Sequence, residues 1–377
     1  MMTQKSEKHI YLDYNATSPT RSEAIEAVYE MMKLGGNPSS VHSHGRVARQ
    51  KLEIARLQVG AFIDSRAADV VFTSGGTEAN NIAIRGSGAN RLITLQSEHD
   101  STKAASVAFN GEVLTLPVDE NGLMKNADLK NALEGKGEGT LVSIMLANNE
   151  TGVIHDIKKI TKITHSFGAR MHTDAVQAAS KIPVSFKDLD VDLMSISSHK
   201  ISGPQGVGAL ILKPGVPLNP LMVGGGQEGG RRTGTENLPG IVGFGVAANL
   251  ASTNINRYEI LQIMRDKLEQ QIMELSPSSI VFGRGAPRLP NTLSISMPGI
   301  TGETQVMAFD LAGISVSAGS ACTSGKTKAS HVILAMLDRE EAGEAIRISM
   351  GMHTVQEDLD SFFETWKTIF DRTTKSR

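Results

Sequence analysis

The chain has 377 residues, 40% of them hydrophobic and 21% charged, and its 38 Lys and Arg against 40 Asp and Glu leave a formal charge of -2. This length predicts about two domains, and the balanced charge excludes recruitment of nucleic acid or a membrane by bulk electrostatics. The single cysteine excludes an intrachain disulfide and a thiolate-rich metal site built by this chain alone. Together with a start that lacks an apolar signal core, it favours a reducing, cytoplasmic setting.

Short β-branched or apolar runs alternate with helix-like segments through the first two thirds of the chain. In order they are DVVF, RLITL, GTLVSIML, ARMH, VDLMSI and GALIL. This alternation predicts an α/β fold with a mostly parallel sheet. After about residue 251 the pattern changes to a long amphipathic stretch, NTLSISM, the cysteine segment and an amphipathic tail. We therefore expect a large domain over residues 15–250 and a smaller α+β domain formed by residues 1–14 and 251–377.

Polar clusters follow several of these runs, at the strand ends where open α/β sheets bind ligands. In SGGTEANN, backbone N–H groups and Thr77 can hold a phosphate at the start of a helix. A plain strand-to-helix turn capped by Ser74 explains the same residues, so both interpretations stay open.

Three further clusters carry groups that do chemistry. His99 in SEHD can stack on a ligand or exchange protons, but it also suits a surface turn. Asp174 in MHTDAVQ, three residues before Gln177, can hold a ligand or cap a helix. Lys200 in SSHK leads into a glycine-rich stretch, where a desolvated lysine forms a Schiff base; the alternative is a solvated loop lysine.

The glycine-rich stretch GGGQEGGRRTGTEN has the spacing G-x-G-x-x-G over residues 224–229. A dinucleotide loop also needs a strand before it and a helix after it, and the sequence predicts neither. Arg231, Arg232 and Thr235 instead indicate an anion-binding loop, with a solvated turn as the alternative.

The only cysteine, Cys322, lies in SAGSACTSGKTK, among small polar residues and lysines. An unreactive free cysteine is usually buried in a core, so this setting favours a reactive thiol. Reaction requires the thiolate, which Lys326 and Lys328 would favour by their charge.

Ten segments together resemble cysteine desulfurases of the NifS/IscS type, which belong to the pyridoxal-phosphate-dependent class V aminotransferase family. They are YLDYNATSP, GGNPSSVH, VFTSGGTE, SEH, ANNETG, HTDAVQ, SSHK, RRTGTEN, SAGSACTS and IRISMG, in the family's order over nearly the whole chain. The resemblance implies an aspartate-aminotransferase-like fold, known as fold type I, and a homodimer with the active site between the domains. It also implies removal of sulfur from L-cysteine, which leaves L-alanine and a persulfide on Cys322.

The same resemblance implies a role for each cluster. Lys200 would carry pyridoxal 5′-phosphate, Asp174 would keep its ring nitrogen protonated, and Gln177 would bond the ring oxygen. His99 would stack on the ring and carry protons. The phosphate would be held by Gly76, Thr77, Ser197, His199 and, from the second subunit, Thr235. Asn149, beside the cofactor, and Arg347 would bind the substrate carboxylate.

The sulfur acceptor stays open between an iron–sulfur scaffold protein, a tRNA-thiolation enzyme and another carrier, and Cys322 would be a transient iron–sulfur ligand shared with such a scaffold. The chain departs from the family at Ser198, at DST after SEH, and at KTKAS after the cysteine. Alternatives are a selenocysteine or cysteine sulfinate lyase, a small-substrate aminotransferase, a nicotinamide oxidoreductase suggested by the glycine spacing, and a scaffold without turnover.

Overall fold

The computed structural model describes residues 9–253, 255–319, 329–337 and 340–375. Within them the strands are β1 (Ile10–Tyr11), β2 (Val70–Thr73), β3 (Arg91–Leu95), β4 (Glu112–Leu116), β5 (Thr140–Ser143), β6 (Arg170–Asp174), β7 (Leu193–Ser197), β8 (Gly208–Leu212), β9 (Thr292–Ser296), β10 (Ile314–Ser315), β11 (Ser317–Ala318) and β12 (Ala345–Ser349). The helices are α1 (Ser22–Leu34), α2 (Ser43–Phe62), α3 (Gly76–Gly86), α4 (Asp100–Val107), α5 (Asn126–Leu133), α6 (Ile157–Ser166), α7 (Phe186–Leu189), α8 (Leu238–Ala251), α9 (Ile255–Leu275), α10 (Gly302–Leu311), α11 (His331–Met336) and α12 (Gln356–Lys375).

A seven-stranded sheet in the order β2-β8-β7-β6-β5-β3-β4 forms the centre of the larger part of the molecule. All its neighbouring strands pair in parallel except β8, which is antiparallel to both β2 and β7. Because β8 is antiparallel to both of its neighbours, β2 and β7 run in the same direction. The strands β2, β3, β5, β6 and β7 therefore all end at one edge of the sheet. The predicted α/β fold with a mostly parallel sheet is confirmed.

The strands carry apolar side chains on both faces, because helices cover both. Leu92 and Leu193 pack with α3 and α4 on one face, whereas their neighbours Ile93 and Met194 belong to the core on the other. This is the two-residue alternation of a strand buried on two sides. β4 was not predicted from the sequence, because it is an edge strand whose residues are largely exposed and not continuously apolar.

A second, separate core lies around the antiparallel sheet β11-β12-β9. Helices α9, α10 and α12 pack on it, and the Phe309 and Phe362 rings stack there with centroids 4.6 Å apart. Trp366 is fully buried in the same core. The start of the described chain also belongs here, because β1 pairs with β10 and Leu12 is one of the core residues.

Helix α8 is apolar on nearly all sides because it packs against both α1 and α2 within the large core. Within the described residues, no single helix combines the length and hydropathy needed to cross a membrane. One pair, Leu238–Ala251 with Asn256–Leu275, meets that test together on length and composition alone, and it is bent by 73°.

Candidate active site

A cavity of about 240 Å³ opens at the edge where the parallel strands end. Turns that follow five different strands supply its wall, so residues far apart in sequence become neighbours. Nine residues proposed from the sequence line it: Gly76, Thr77, His99, Asn149, Asp174, Gln177, Ser197, His199 and Lys200. The remaining lining residues are Ala16, Asn80, Ser101, Met145, Ala147 and Val176.

One wall of this cavity is the start of α3. The helix begins at Gly76 with Gly75 as its N-cap and has no side-chain cap, so the alternative of a turn capped by Ser74 is wrong. A Cβ atom on Gly76 would lie 2.8 Å from a Val176 methyl, which explains the need for glycine. Across from it, the Ser197 hydroxyl is buried without a hydrogen-bond partner. Free N–H groups at a helix start and an unpaired hydroxyl suit an anion such as a phosphate.

Lys200 closes the short 3-10 turn Ser198–Lys200 that follows β7. Its Nζ donates hydrogen bonds to the carbonyls of Asn15 and, at 2.8 Å, Ala16, so it is not a solvated loop lysine. Next to it, His199 contacts the Thr17 hydroxyl at 3.2 Å. Burial, and then the nearby Lys200 charge, lower the pKa of His199 to about 4, so its imidazole is neutral near pH 7.

Asp174 is the last residue of β6 and is only 8% exposed. Its Oδ1 accepts from the Val176 N–H at 2.9 Å, and its Oδ2 accepts from Asn80 Nδ2 at 2.6 Å. Asp174 therefore caps a turn and not a helix, because the next helix, α7, begins only at Phe186, and its buried carboxylate lines the cavity. His99 likewise lines the cavity and caps a helix, since its Nδ1 accepts from the Ser101 N–H at the start of α4.

Two residues missed by the sequence analysis, Asn15 and Lys181, organise the Gln177 side of the cavity. Lys181 is 2% exposed, and its Nζ donates to Asn15 Oδ1 at 2.7 Å and to Gln177 Oε1. Gln177 Nε2 in turn donates to the Asn15 carbonyl at 2.9 Å. Burial, with Lys200 and Arg347 nearby, lowers the pKa of Lys181 well below its ordinary value. The sequence carries only a weak indication of these two residues, since Asn15 is the asparagine of LDYNATSP and Lys181 is a lysine four residues after Gln177.

The side of the cavity proposed for the substrate combines residues from both cores. Arg347 on β12 is 4% exposed and donates from Nη1 to the Asn149 carbonyl at 3.1 Å. Its Nη2 is paired with Asp13 at 2.6 Å, whereas its Nε is buried without a partner. The Asn149 side-chain oxygen is also buried without a partner. Arg347 therefore lies directly behind the cavity wall at Asn149.

Thr235 does not join this cavity. It is exposed and lines a separate cavity of about 80 Å³ with Ser74 and Arg232. Arg232 is paired with Glu78 at 2.9 Å, so its charge is already compensated and the predicted anion-binding loop lacks a free Arg232. The dinucleotide interpretation of residues 224–229 is wrong, because β8 ends at Leu212 and the next α-helix, α8, begins only at Leu238.

Cys322, Lys326 and Lys328 lie outside the described residues. Within the described ranges, no group of three or more His, Cys, Asp or Glu side chains is arranged to hold a metal ion. The described residues on either side of the cysteine segment meet at Glu150: Ser330 Oγ donates to Glu150 Oε2, and a Cβ atom on Gly319 would lie 2.3 Å from that oxygen. Glu150 follows Asn149, so both ends of the segment lie close to a residue next to the cavity wall, and the Ser330 end is bonded to it.

The chain is similar in sequence to known proteins along nearly its whole length. Residues 10–362 match the family model described as aminotransferase class V. The cysteine desulfurase IscS of Dictyoglomus turgidum is 38% identical, covering 97% of this chain and 95% of that protein. The NifS-like protein of Rickettsia africae has a similar structure, with a TM-score of 0.89 and 34% identity over 97% of this chain and all of that one. The structure of "SspA in complex with cysteine" has a TM-score of 0.78 and 28% identity over 92% of this chain and all of that one.

The buried position of Glu150 between Gly319 and Ser330 can be tested by the pH dependence of protein stability. Burial raises the pKa of its carboxyl from 4.5 to about 7, so the folded state holds this proton more tightly than the unfolded state. As the pH rises from 4.5 to 7, the carboxyl ionises in the unfolded state and stays protonated in the folded state, so the free energy of unfolding of the parent falls. Glu150→Gln removes that ionisation and keeps an acceptor for Ser330. We expect its free energy of unfolding, relative to the parent, to increase by on the order of 3 kcal/mol across this window and then level off.

Urea unfolding at several pH values measures this difference, with Glu364→Gln on the exposed face of α12 as the matched control. The control should follow the parent at every pH. If the free energy of unfolding of Glu150→Gln changed with pH in the same way as that of the parent, the result would contradict a buried carboxyl between the two ends of the cysteine segment.

Proposed function

The chain belongs to the class V aminotransferase family and is a cysteine desulfurase, and from that premise we propose how its residues divide the reaction. The supporting observation is the convergence of Lys200, Asp174 and His99 on one cavity, beside Asn149 and Arg347. An amine, a buried carboxylate and an imidazole around one cavity are the groups that pyridoxal-phosphate chemistry uses.

Enzymes of this family depend on pyridoxal 5′-phosphate, and the residues around the cavity suit it. The α3 start at Gly76 and Thr77, with the unpaired Ser197 hydroxyl, would hold the phosphate. His199 would add a neutral hydrogen-bonding group, because its pKa is lowered to about 4. When bound, the cofactor supplies an electron sink for the substrate Cα carbon.

Three side chains would act around the ring. Lys200 would hold the cofactor covalently, and its released Nζ would then take the Cα proton of L-cysteine as general base. The buried Asp174 carboxylate would keep the ring nitrogen protonated by its negative charge. Gln177 would donate the second hydrogen of its Nε2 to the ring oxygen, because Lys181 occupies its Oε1 and the first Nε2 hydrogen is bonded to the Asn15 carbonyl.

Arg347 and Asn149 would bind the substrate carboxylate. Asp13 already takes Nη2 of Arg347, and Nη1 donates one hydrogen to the Asn149 carbonyl. The unpaired Nε and the second hydrogen of Nη1, which lie on different edges of the guanidinium, are left as single donors for a second carboxylate. A guanidinium can bond two carboxylates at once because its five N–H groups point outward in one plane.

Cys322 would be the nucleophile. Its thiolate attacks the sulfur of L-cysteine, the S–S bond forms, and the bond from that sulfur to Cβ breaks. The electron pair left on the carbon side is protonated to give L-alanine, so the carbon is reduced while the sulfur is oxidised to a persulfide on Cys322. The reaction balances without an external oxidant.

We expect the loaded enzyme, incubated with L-cysteine, to form one alanine for each sulfur released to a thiol reductant. Without reductant, intact mass should show one added sulfur on Cys322. The Cys322→Ala variant should keep the yellow cofactor and bind cysteine but lose at least a thousand-fold in sulfur release, on the order of other nucleophile deletions. Ser324→Ala, in the same segment, is the matched control and should stay active.

Continued sulfur release by Cys322→Ala would contradict this mechanism, and 3-mercaptopyruvate in place of alanine would indicate an aminotransferase. Lys200→Ala should form no borohydride-stable bond to the cofactor. Lys213→Ala, which removes a lysine paired with Asp190 at the surface, should still form it.

We also propose that the enzyme is a homodimer in which Thr235 serves the partner subunit's active site. Thr235 lies away from the cavity of its own chain. Large apolar side chains are exposed near it and on two helices, which is typical of a surface that another protein covers. They are Ile25, Tyr29, Met32 and Leu34 in α1, Val47, Ile54 and Leu57 in α2, and Leu221, Met222 and Val223.

Light scattering should give twice the chain mass of 40.3 kDa. We then expect complementation between Lys200→Ala and Thr235→Val chains, because a mixed dimer with Thr235 acting across the interface contains one intact site. Mixing should raise sulfur release above that of either variant. If Thr235 acted within its own chain, no site would be intact and mixing would add nothing.

The sulfur would pass from Cys322 to an acceptor protein in the cytoplasm, either an iron–sulfur scaffold or a tRNA-thiolation enzyme. With a scaffold, Cys322 would also be a transient ligand of the growing cluster. Radiolabelled sulfur on Cys322 distinguishes these acceptors: transfer to one candidate and not to the other identifies the pathway, and cell fractionation checks the compartment.

A further inference from the structure

A continuous row of buried hydrogen bonds connects Asp174 to His99. Asn80 Nδ2 donates to Asp174 Oδ2 at 2.6 Å and to Ser101 Oγ at 2.9 Å. Ser101 Oγ lies 2.8 Å from His99 Nδ1. Asn80 and Ser101 are 1% and 6% exposed, so water does not compete for these bonds. The row joins the turns after β3 and β6 through helix α3.

Each hydrogen bond in this row can be assigned only one donor and one acceptor. The Asp174 carboxylate can only accept, so the amide nitrogen of Asn80 must face it. Both amide hydrogens of Asn80 are then used, one on Asp174 and one on Ser101. The backbone N–H of Ser101 can only donate, and it points at His99 Nδ1 at 3.1 Å. Nδ1 is therefore an acceptor, and the Ser101 hydroxyl directs its own hydrogen to the same atom.

An imidazole that accepts at Nδ1 carries its hydrogen on Nε2 when it is neutral. Within the part of the chain that the structure describes, Nε2 of His99 has no hydrogen-bond partner, and the ring lines the cavity. Protonation of Nδ1 would set an N–H against the Ser101 backbone N–H and would break the cap of α4.

The charged and titratable groups around His99 act in both directions. Asp174 and Asp100 favour its protonated form, whereas Lys200 and His331 disfavour it. Burial is the largest effect and lowers the pKa of His99, so the ring is neutral near pH 7. The bonds from Ser101 act in the same direction, because hydrogen bonds donated to the neutral form disfavour protonation.

We infer that Asn80 and Ser101 are positioning residues that couple the Asp174 carboxylate to His99 and hold His99 as its neutral Nε2–H tautomer. His99 then presents a hydrogen-bond donor to the cavity, where the sequence suggested a carrier that takes up protons. The inference deepens the proposed function, since it states how His99 meets the cofactor and substrate.

The test uses full-length, cofactor-free protein labelled with ¹⁵N-histidine, with the His99 signals assigned through a His99→Gln variant. Two-bond proton–nitrogen correlations report which ring nitrogen carries the hydrogen, and a pH titration gives the protonation constant. In the parent we expect hydrogen on Nε2 and a bare Nδ1. In Ser101→Ala we expect the protonation constant to increase roughly three-fold to ten-fold, the effect of losing one hydrogen bond.

Ser106→Ala is the matched control, because Ser106 is a buried serine of the same helix α4 whose hydroxyl, among the residues that the structure describes, bonds only the Thr102 carbonyl, at 2.7 Å. It should leave His99 unchanged, and Ser101→Thr, which keeps the hydroxyl, should restore the parent value. Asn80→Leu should change His99 in the same direction as Ser101→Ala, with a double variant no stronger than the larger single change, since both break one row.

A parent with hydrogen on Nδ1 would overturn the inference with no variant needed, and so would an unchanged protonation constant in Ser101→Ala. Additive effects of Asn80→Leu and Ser101→Ala would overturn the coupling through Asn80. The tautomer and protonation constant of His99 are measured without cofactor or cysteine. A failure to form alanine would therefore contradict the proposed function and leave the inference about His99 unaffected.

Discussion

The site depends on the common direction of five strands. Parallel pairing, with the double reversal through β8, brings the ends of β2, β3, β5, β6 and β7 to one edge of the sheet. Each strand is buried, so its backbone positions the first residues of the following turn with little freedom. The helix starts after β2 and β3 lie at the same edge, where their free N–H groups favour anions and hydrogen-bond acceptors. Phosphate-binding, acidic and amine groups can therefore surround one cavity although they lie far apart in the sequence.

Asn15 attaches this edge to the second core. Its carbonyl accepts from Lys200 and Gln177, and its side chain bonds Lys181 of the large core and Thr292 of the small one. Its N–H donates to Ser349 at the end of β12. The same strand carries Arg347 to the Asn149 turn. One buried residue thus aligns the groups that would bind the cofactor with those that would bind the substrate, and a shift between the two cores would disturb both.

Burial sets the protonation states around the cavity. It lowers the pKa of His99, His199 and Lys181 and raises that of Glu150, in each case because the charged form loses hydration. Histidines that stay neutral can serve as directed hydrogen-bond donors, with the direction chosen by whatever occupies the other ring nitrogen. The row from Asp174 to His99 shows this choice: a backbone N–H and a serine hydroxyl occupy one nitrogen and leave the other for the cavity.

The sequence by itself determined the α/β class, the six main buried strands and the polar clusters at their ends, because continuous apolar runs followed by polar turns are local signals. The individual roles proposed for nine residues around the cavity came from the resemblance to a known family. It missed β4, whose exposed edge position leaves no such run. Asn15, Lys181, Asn80 and Ser101 could not be assigned either, because each acts through a partner from a distant turn. Only the tertiary structure decided that His99, Asp174 and Lys200 line one cavity and which hydrogen bonds they form there, because burial and hydrogen-bond direction arise only when separate strand ends come together.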